Sequence, residues 1–385
     1  VLHIASWYPS PWDRIEGNFI QDHIQLFLQE AGGQVIVVQV RHSQRDWMTL
    51  RRLQLEDGGC GHYLLTKVRA GRLTEALGTM LLLVALVRAR AWRFEALHFH
   101  VAYPLLIHVR LWQWLFRKPI MISEHWSAYH YNFHLPSGSP ALARMRRPFE
   151  RGFPVLAVSN ALLDDIRRFS KRRDFCGYVL PNRVPLHGPG RSENKVPVLF
   201  CVGRWVEIKD PMPMLAGLSD AASNGAQFEL VIGGFGELVE AMRSFVAATN
   251  LVGCTRFTGL MTKAEIAAQL RESDGYLFSS RYETFSVACA EALGAGVPLI
   301  GPHIPAIAEY AGEADWQVVE ARSAAGWAGA LEHFLRKIAA GGYDRWAIAD
   351  QAARRFSPEV IRAEYRRVLD DTLATGSTRK QGRHK

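Results

Sequence analysis

The chain has 385 residues, 48% hydrophobic and 22% charged, the mixture of a folded globular protein rather than a disordered one. That length is about two and a half times a usual single domain, so two domains are expected, with one large α/β barrel as the rival. Lysine and arginine outnumber aspartate and glutamate by 46 to 37, a net charge of +9 that permits nucleic acid, an acidic membrane surface or phosphorylated substrates as partners.

Taken in chain order, Val1 to Ala5 is an apolar, strand-like start. No basic n-region or long apolar h-region precedes it, so no signal peptide is expected in the sequence as given, and the absent initiator Met suggests a trimmed or partial N-terminus. Glu16–Gln29 suits a helix and Gln34–Val40 a buried strand. An apolar helix follows, whose longest uninterrupted run, Met80 to Val87, ends in arginines. It falls far short of the roughly 20 residues that span a bilayer, so an integral membrane protein is not expected. Further strands are read at Pro119–Ser123, Val155–Ser159, Val198–Val202, Phe228–Ile232, Gly275–Phe278 and Pro298–Ile300. The helices between them are Ala161–Phe169, Pro211–Ser223 and Lys263–Arg271. Near-continuous apolar strands alternating with helices indicate parallel sheets covered on both faces, an α/β fold.

Residues 181–195 (PNRVPLHGPGRSENK) are rich in Pro, Gly and polar side chains and carry no periodicity, which marks an interdomain linker. The halves it separates, 1–180 and 196 onward, are each of ordinary domain size. Residues 376–385 are polar and basic and are read as a disordered tail. The five cysteines, Cys60, Cys176, Cys201, Cys254 and Cys289, form no close pair, so neither a zinc site nor a disulfide framework is expected and a reducing, cytosolic compartment is.

Chemistry concentrates in RYETFSVACAEALGAGVPLIG, where Glu283 and Glu291 stand eight apart between two apolar strands. A helix starting near Thr284 to Ser286 leaves Glu283 at its edge and Glu291 about two turns in, roughly 12 Å along the axis. Its free backbone N–H groups could meet an anion or a sugar hydroxyl. For two isolated glutamates the plain alternative is a helix cap and a solvated side chain.

The neighbouring segments decide otherwise. VGRWVEIKD supplies Gly203, Arg204 and Lys209 after a strand, FELVIGGFGE a glycine turn at Gly233, Gly234 and Gly236, and FTGLMTKAEI the entry to the next helix. In the first half, ASWYPSPWDRIEGNF, LHFHVAYP, ISEHWSAY, VLAVSNAL and LPNRVP follow in order. Together these resemble the family 4 retaining glycosyltransferases (glycosyl transferases group 1) from residue 1 to about 370.

The resemblance implies a GT-B fold, two Rossmann-like domains with parallel sheets facing a central cleft. It places the acceptor on residues 1–180 and the nucleotide-sugar on 196–353, with helices at 354–375 packing back on the first domain. The reaction implied is transfer of a sugar from a UDP- or GDP-sugar to a hydroxyl of a glycan or lipid-linked acceptor in bacterial polysaccharide or lipopolysaccharide synthesis. Arg204 and Lys209 would hold the diphosphate, one as a fork and one as a point charge. Glu291 would accept from the ribose hydroxyls. Glu283 would face the transferred sugar with the amides of Thr284, Phe285 and Ser286. His125 would sit near that sugar, and Gly17 would give the first loop close approach. Many family members carry Gly where Ser286 stands, and Gly again where Asp210 follows Lys209. No Asp-x-Asp motif stands at a strand end, so metal independence and no cofactor are expected.

His98 and His100 alternate on a strand pattern and are taken as structural or cleft-lining. Arginines at 88, 90 and 93, at 144, 146, 147 and 151, and at 167, 168, 172 and 173 with Lys171, near Trp92, Phe149 and Phe169, point to a peripheral contact with an anionic membrane. Nucleic acid is not expected, because no recognition module accompanies the charge. A dehydrogenase needs G-x-G-x-x-G after the first strand, where Ser6-Trp7-Tyr8-Pro9 stands instead. A non-catalytic sugar- or nucleotide-binding module is the remaining rival, and the intact set Arg204, Lys209, Glu283 and Glu291 argues against it.

Overall fold

The computed structural model describes residues 1–13, 16–56, 58–69, 71–89, 93–172, 174–190 and 194–381, with side chains as far as residue 374. Its strands are β1 (Leu2–Ala5), β2 (Gln34–His42), β3 (Met48–Gln54), β4 (Cys60–Thr66), β5 (Leu97–His100), β6 (Ile120–Glu124), β7 (Val155–Ala157), β8 (Gly177–Val179), β9 (Val198–Arg204), β10 (Glu229–Phe235), β11 (Thr255–Gly259), β12 (Gly275–Leu277), β13 (Leu299–Pro302) and β14 (Trp316–Val319). Its helices are α1 (Asn18–Ala31), α2 (Arg72–Ala89), α3 (Val109–Phe116), α4 (Pro140–Arg146), α5 (Asn160–Ser170), α6 (Pro211–Ser223), α7 (Val239–Ala247), α8 (Lys263–Glu272), α9 (Val287–Gly294), α10 (Pro305–Ala308), α11 (Ala324–Ala339), α12 (Arg345–Phe356) and α13 (Pro358–Gln381). The chain divides into a first unit, Val1–Arg183 with Pro358–Lys385, and a second, Val184–Ser357.

In the first unit the strand order is β3-β4-β2-β1-β5-β6-β7-β8, parallel except for the β3–β4 pair. The β1 register sets His3 against His98 and Ala5 against His100 of β5. Helix α13 closes this unit on α1, with the Tyr365 ring stacked on Phe27 at 3.8 Å between centroids. That helix runs on through Gln381, past Gly376 where a disordered tail is read from the sequence. Extending a formed helix fixes one residue per hydrogen bond, so it needs no further apolar face. Residues 382–385 lie outside the described residues.

The second unit is an all-parallel sheet in the order β11-β10-β9-β12-β13-β14. The chain works outward from β9 to β11 and then from β12 to β14 on the other side, the doubly wound Rossmann order. Leu199, Leu230 and Ile232 from the sheet pack with Met214, Leu215 and Leu218 of α6, Met242 of α7, and Trp327, Leu331 and Phe334 of α11. The segment read as a linker is partly integral to this unit. Leu186 lies where a Cβ on Gly294 would meet it, and a Cβ on Gly190 would fall 2.1 Å from the Arg271 carbonyl.

Candidate functional site

In a doubly wound sheet the chain leaves two neighbouring strands in opposite directions at one point, and a crevice opens beyond their carboxyl ends. In the second unit that point lies between β9 and β12. Beyond β9 come Arg204 at the strand end and a short 3-10 turn, Glu207–Lys209. Beyond β12 come Ser279, Ser280 and the loop to α9.

The two loops are bonded to each other. Lys209 Nζ donates to Glu283 Oε1 at 2.5 Å, and the Ser280 hydroxyl donates to the same oxygen at 2.6 Å. The Ser279 hydroxyl donates to the Lys209 carbonyl at 2.5 Å, and the Arg281 N–H to the Ile208 carbonyl at 2.8 Å. Burial alone would lower the Lys209 ammonium. The Glu283 charge and the hydrogen bond outweigh it and hold the group above the ordinary lysine range of 10.5. Arg204 is exposed and makes no ion pair among the described residues.

Glycine shapes the neighbouring turn. Gly234 has φ 105°, and a Cβ there would fall 1.9 Å from the Gly203 carbonyl. Only a residue without Cβ lets β10 lie this close to the end of β9. The Trp205 indole N–H donates to the Gly233 carbonyl at 2.8 Å and fastens the same turn.

Helix α9 begins one residue later than the window read from the sequence, with Ser286 at its N-cap and no side chain capping it. Glu283 therefore caps nothing; its carboxylate is turned to Lys209. Ser286 holds φ 67°, a conformation that suits glycine, and the Tyr310 hydroxyl donates to the carbonyls of Phe285 (2.7 Å) and Ser286 (3.2 Å). The Phe285 ring is buried against Tyr310 and Phe356. Glu291 sits half-buried on α9.

The candidate residues of the first unit are placed differently. Gly17 is the N-cap of α1 with φ 72°, and a Cβ there would strike the chain's own Trp7–Tyr8 backbone at 2.7 Å. The close approach it allows is thus internal to this unit. His125 follows β6 and is buried, its ring 5.3 Å from that of His23 and 5.0 Å from Phe19. Burial, and next the neighbouring His23, push its imidazole well below the usual range, while the side chain of Asn182 works the other way. It is a neutral imidazole at pH 7.

Sequence reading passed over Glu124 and His3 of this unit. Glu124, next to His125, is fully buried, accepts from the Ala102 N–H (2.7 Å) and the Tyr129 hydroxyl (2.6 Å), and is pushed up to about 7 by burial. An acidic residue closing the apolar run PIMIS was its signal. His3, His98 and His100 are buried with ring nitrogens all within 4.8 Å of one another, the one such group among the described residues with metal-ligand spacing. Half of their ring nitrogens have partners, His3 Nδ1 lying 3.1 Å from His100 Nε2 and His98 Nε2 2.7 Å from Ser123 Oγ, while His3 Nε2, His98 Nδ1 and His100 Nδ1 are buried without a hydrogen-bond partner. With Phe27 and Tyr365 stacked on them, they form part of the core.

The surface read as a membrane patch needs correction. Phe149 and Phe169 are buried, their rings packed on Tyr129 at 5.7 and 5.1 Å. Arg144 is paired with buried Glu75, Arg167 with Asp164, Arg168 with Asp165 and Arg172 with Asp174. An arginine beside an aromatic reads the same in sequence whether both face water or the ring turns inward. Arg90, Trp92 and Arg173 lie outside the described residues.

Residues 196–337 match the family model described as Glycosyl transferases group 1. The 2-deoxystreptamine N-acetyl-D-glucosaminyltransferase of Niallia circulans is 24% identical over 227 residues, 54% of this chain and 58% of that protein. The chain thus spans little more than half the length of that relative. Sucrose-phosphate synthase from Thermosynechococcus elongatus superposes with a TM-score of 0.75 at 16% identity, covering 97% of this chain and 99% of that one. Anabaena Alr3699/HepE, solved in complex with UDP and glucose, does so with a TM-score of 0.72 at 13% identity, covering 96% and 99%. Likeness at this identity establishes the fold.

Proposed function

We propose that this chain, which has the GT-B fold and carries the domain of glycosyl transferases group 1 at residues 196–337, transfers a sugar from a nucleotide-diphosphate donor to a hydroxyl of a glycan or lipid-linked acceptor. The observation that carries the reading is the meeting of Lys209 and Glu283 at the strand-order reversal, next to exposed Arg204. A cation, a carboxylate and uncapped helix amides at that point suit a diphosphate joined to a polyhydroxylated sugar. The UDP in Anabaena Alr3699/HepE supports a nucleoside diphosphate as the class.

The chemistry follows from charge. As the anomeric C–O bond breaks, its electron pair leaves on the diphosphate and positive character grows on the sugar. An ammonium has three donors. Lys209 gives one to Glu283 and keeps two for phosphate oxygens, while Arg204 offers a planar fork. Glu283 Oε1 is engaged by Lys209 and Ser280, so Oε2 is the oxygen left to meet a sugar hydroxyl. Glu291 takes the ribose diol. In a retaining course the acceptor hydroxyl attacks on the face the leaving group departs from, and its proton passes to the departing phosphate oxygen. These cations can carry the leaving-group charge without a metal ion. His125, neutral and buried, is assigned a hydrogen-bonding part and no proton transfer. Thermal shift against UDP, GDP and ADP, followed by mass spectrometry for sugar transfer, tests the reading. Stabilisation by none of the three would refute it.

An anionic bilayer belongs to the same reading as a partner, on a surface that keeps Arg88, Arg147 and Arg151 from the sequence expectation but replaces its buried aromatics with the apolar stripe of α2. Helix α2 exposes Leu73 (58%), Met80 (53%) and Val87 (61%), spaced by sevens on one face, with exposed Arg72 and Arg88 near its ends. Its sole carboxylate, Glu75, is buried against Arg144. The stripe is about 21 Å long. A groove lined in part by Ile107 and His108 gathers Arg110, Arg147 and Arg151 around a single carboxylate, Glu150. Among the described residues no helix is long and apolar enough to cross a membrane.

A further inference from the structure

Asp210 is in an unexpected state. It holds φ 44° and ψ 53° in the left-handed region, directly before Pro211, and stands at the N-cap of α6 without capping it. Aspartate at an N-cap ordinarily accepts from the first free amides of the helix. Here both carboxylate oxygens go instead to Arg281, with Nε to Oδ2 at 2.9 Å and Nη2 to Oδ1 at 3.0 Å. Arg281 lies two residues before Glu283, and Asp210 directly follows Lys209. The fork therefore ties together the two loops whose side chains meet at the candidate donor site.

We infer that Arg281 is a positioning residue for Lys209, holding Asp210 in a turn that a glycine would adopt unaided. This deepens the donor-site reading above and rests on it. A left-handed residue is natural for glycine and uphill for other side chains, least so for Asp and Asn. The cost is met by a bidentate, charge-assisted pair, whose planar geometry lysine does not reproduce. The Arg281 N–H to the Ile208 carbonyl and the Ser279 hydroxyl to the Lys209 carbonyl make the same brace from the backbone side. With the fork gone, the turn is free to leave the left-handed region. The Lys209 ammonium then no longer stands where Glu283 and a phosphate can share it.

The test is calorimetric binding of UDP and UMP to the full chain, with GDP and GMP or ADP and AMP as the pair if wild type prefers those, and a melting curve for each variant. Arg281→Ala is expected to bind UDP about tenfold more weakly. UMP, which has no β-phosphate for Lys209 to reach, should be unaffected. Arg281→Lys, with the charge but not the fork, should fall between and carries the test if the alanine variant does not fold. Asp210→Gly combined with Arg281→Ala should return UDP to within about twofold of wild type. Equal weakening of UDP and UMP, unaltered UDP binding in Arg281→Ala, or no rescue by the glycine would overturn the inference. A wild-type protein that binds none of UDP, GDP or ADP would overturn the donor-site reading, and the inference with it.

Discussion

Lys209 and Glu283 stand 74 positions apart in sequence and 2.5 Å apart at their side-chain ends. Parallel strands β9 and β12 pair directly, Leu199 to Gly275 and Phe200 to Tyr276, so their outgoing loops emerge side by side. The ion pair is a consequence of that register together with the Asp210 turn.

Loss of either cation should be costly. Arg204→Ala and Lys209→Ala should each lower turnover about 100–1,000-fold, the usual effect of removing one preorganised donor to developing charge. Melting temperatures should change little for Arg204→Ala, since that side chain is exposed. Measured kcat and KM for sugar transfer decide it.

Metal dependence gives a second check. Because Lys209 and Arg204 are assigned the leaving-group charge, turnover should survive EDTA at an unaltered rate. Turnover abolished by EDTA and restored by Mn²⁺ would contradict that assignment.

The pH dependence of stability should come from the first unit. His3 is pushed down to about 3 and His23 to about 4, both chiefly by burial. Unfolded, each takes a proton near 6.5, so the unfolded chain binds more protons and stability falls as pH drops from 6.5 toward those values. Glu124 acts oppositely. It stays protonated to about 7 when folded but ionises near 4.5 when unfolded, so its contribution falls as pH rises through that window. At about 1.4 kcal/mol per pKa unit the Glu124 effect is on the order of 3 kcal/mol. Glu124→Gln should retain an oxygen to accept from Ala102 and Tyr129 and, with the opposing Glu124 contribution gone, should make stability rise more steeply than in wild type between pH 4.5 and 6.5 in urea titrations. A slope identical to wild type would contradict the Glu124 assignment.

Gly234→Ala should destabilise the second unit by about 3 kcal/mol, since it adds strain at a positive φ to a backbone collision. Chemical denaturation measures this directly.

For the bilayer, vesicles of phosphatidylcholine with phosphatidylglycerol should carry the protein to the top of a flotation gradient, and phosphatidylcholine alone should not. Met80→Glu with Val87→Glu should abolish flotation. A halved native mass in that variant, with no change in flotation, would show the stripe to be a contact between copies of the chain.

Much of this architecture is legible in the sequence because buried parallel strands announce themselves. Gln34–Val40 carries the unbroken apolar run Val35–Val38 and Gly275–Phe278 is apolar throughout, and the observed strands begin at Gln34 and Gly275. Helix α8, expected at Lys263–Arg271, is observed at Lys263–Glu272, and the structure shows its start fixed by a capping box of Thr262 and Glu265. Strand β3 (MTLRRLQ) was not legible, since it is a largely exposed antiparallel edge with no apolar run. At the site, motifs single out Arg204, Lys209, Glu283 and Glu291 as candidates, and the structure brings Lys209 and Glu283 together. The Asp210–Arg281 fork was not legible, because two loops 71 positions apart must be folded before either side chain has a partner. Tyr310 escaped for the same reason.

The most direct test is mass-spectrometric detection of sugar transfer from UDP- and GDP-sugars by wild type, Arg204→Ala and Lys209→Ala side by side. The account predicts a glycosylated product from wild type and almost none from either variant, with both variants folded. Undiminished transfer by Arg204→Ala and Lys209→Ala would contradict it.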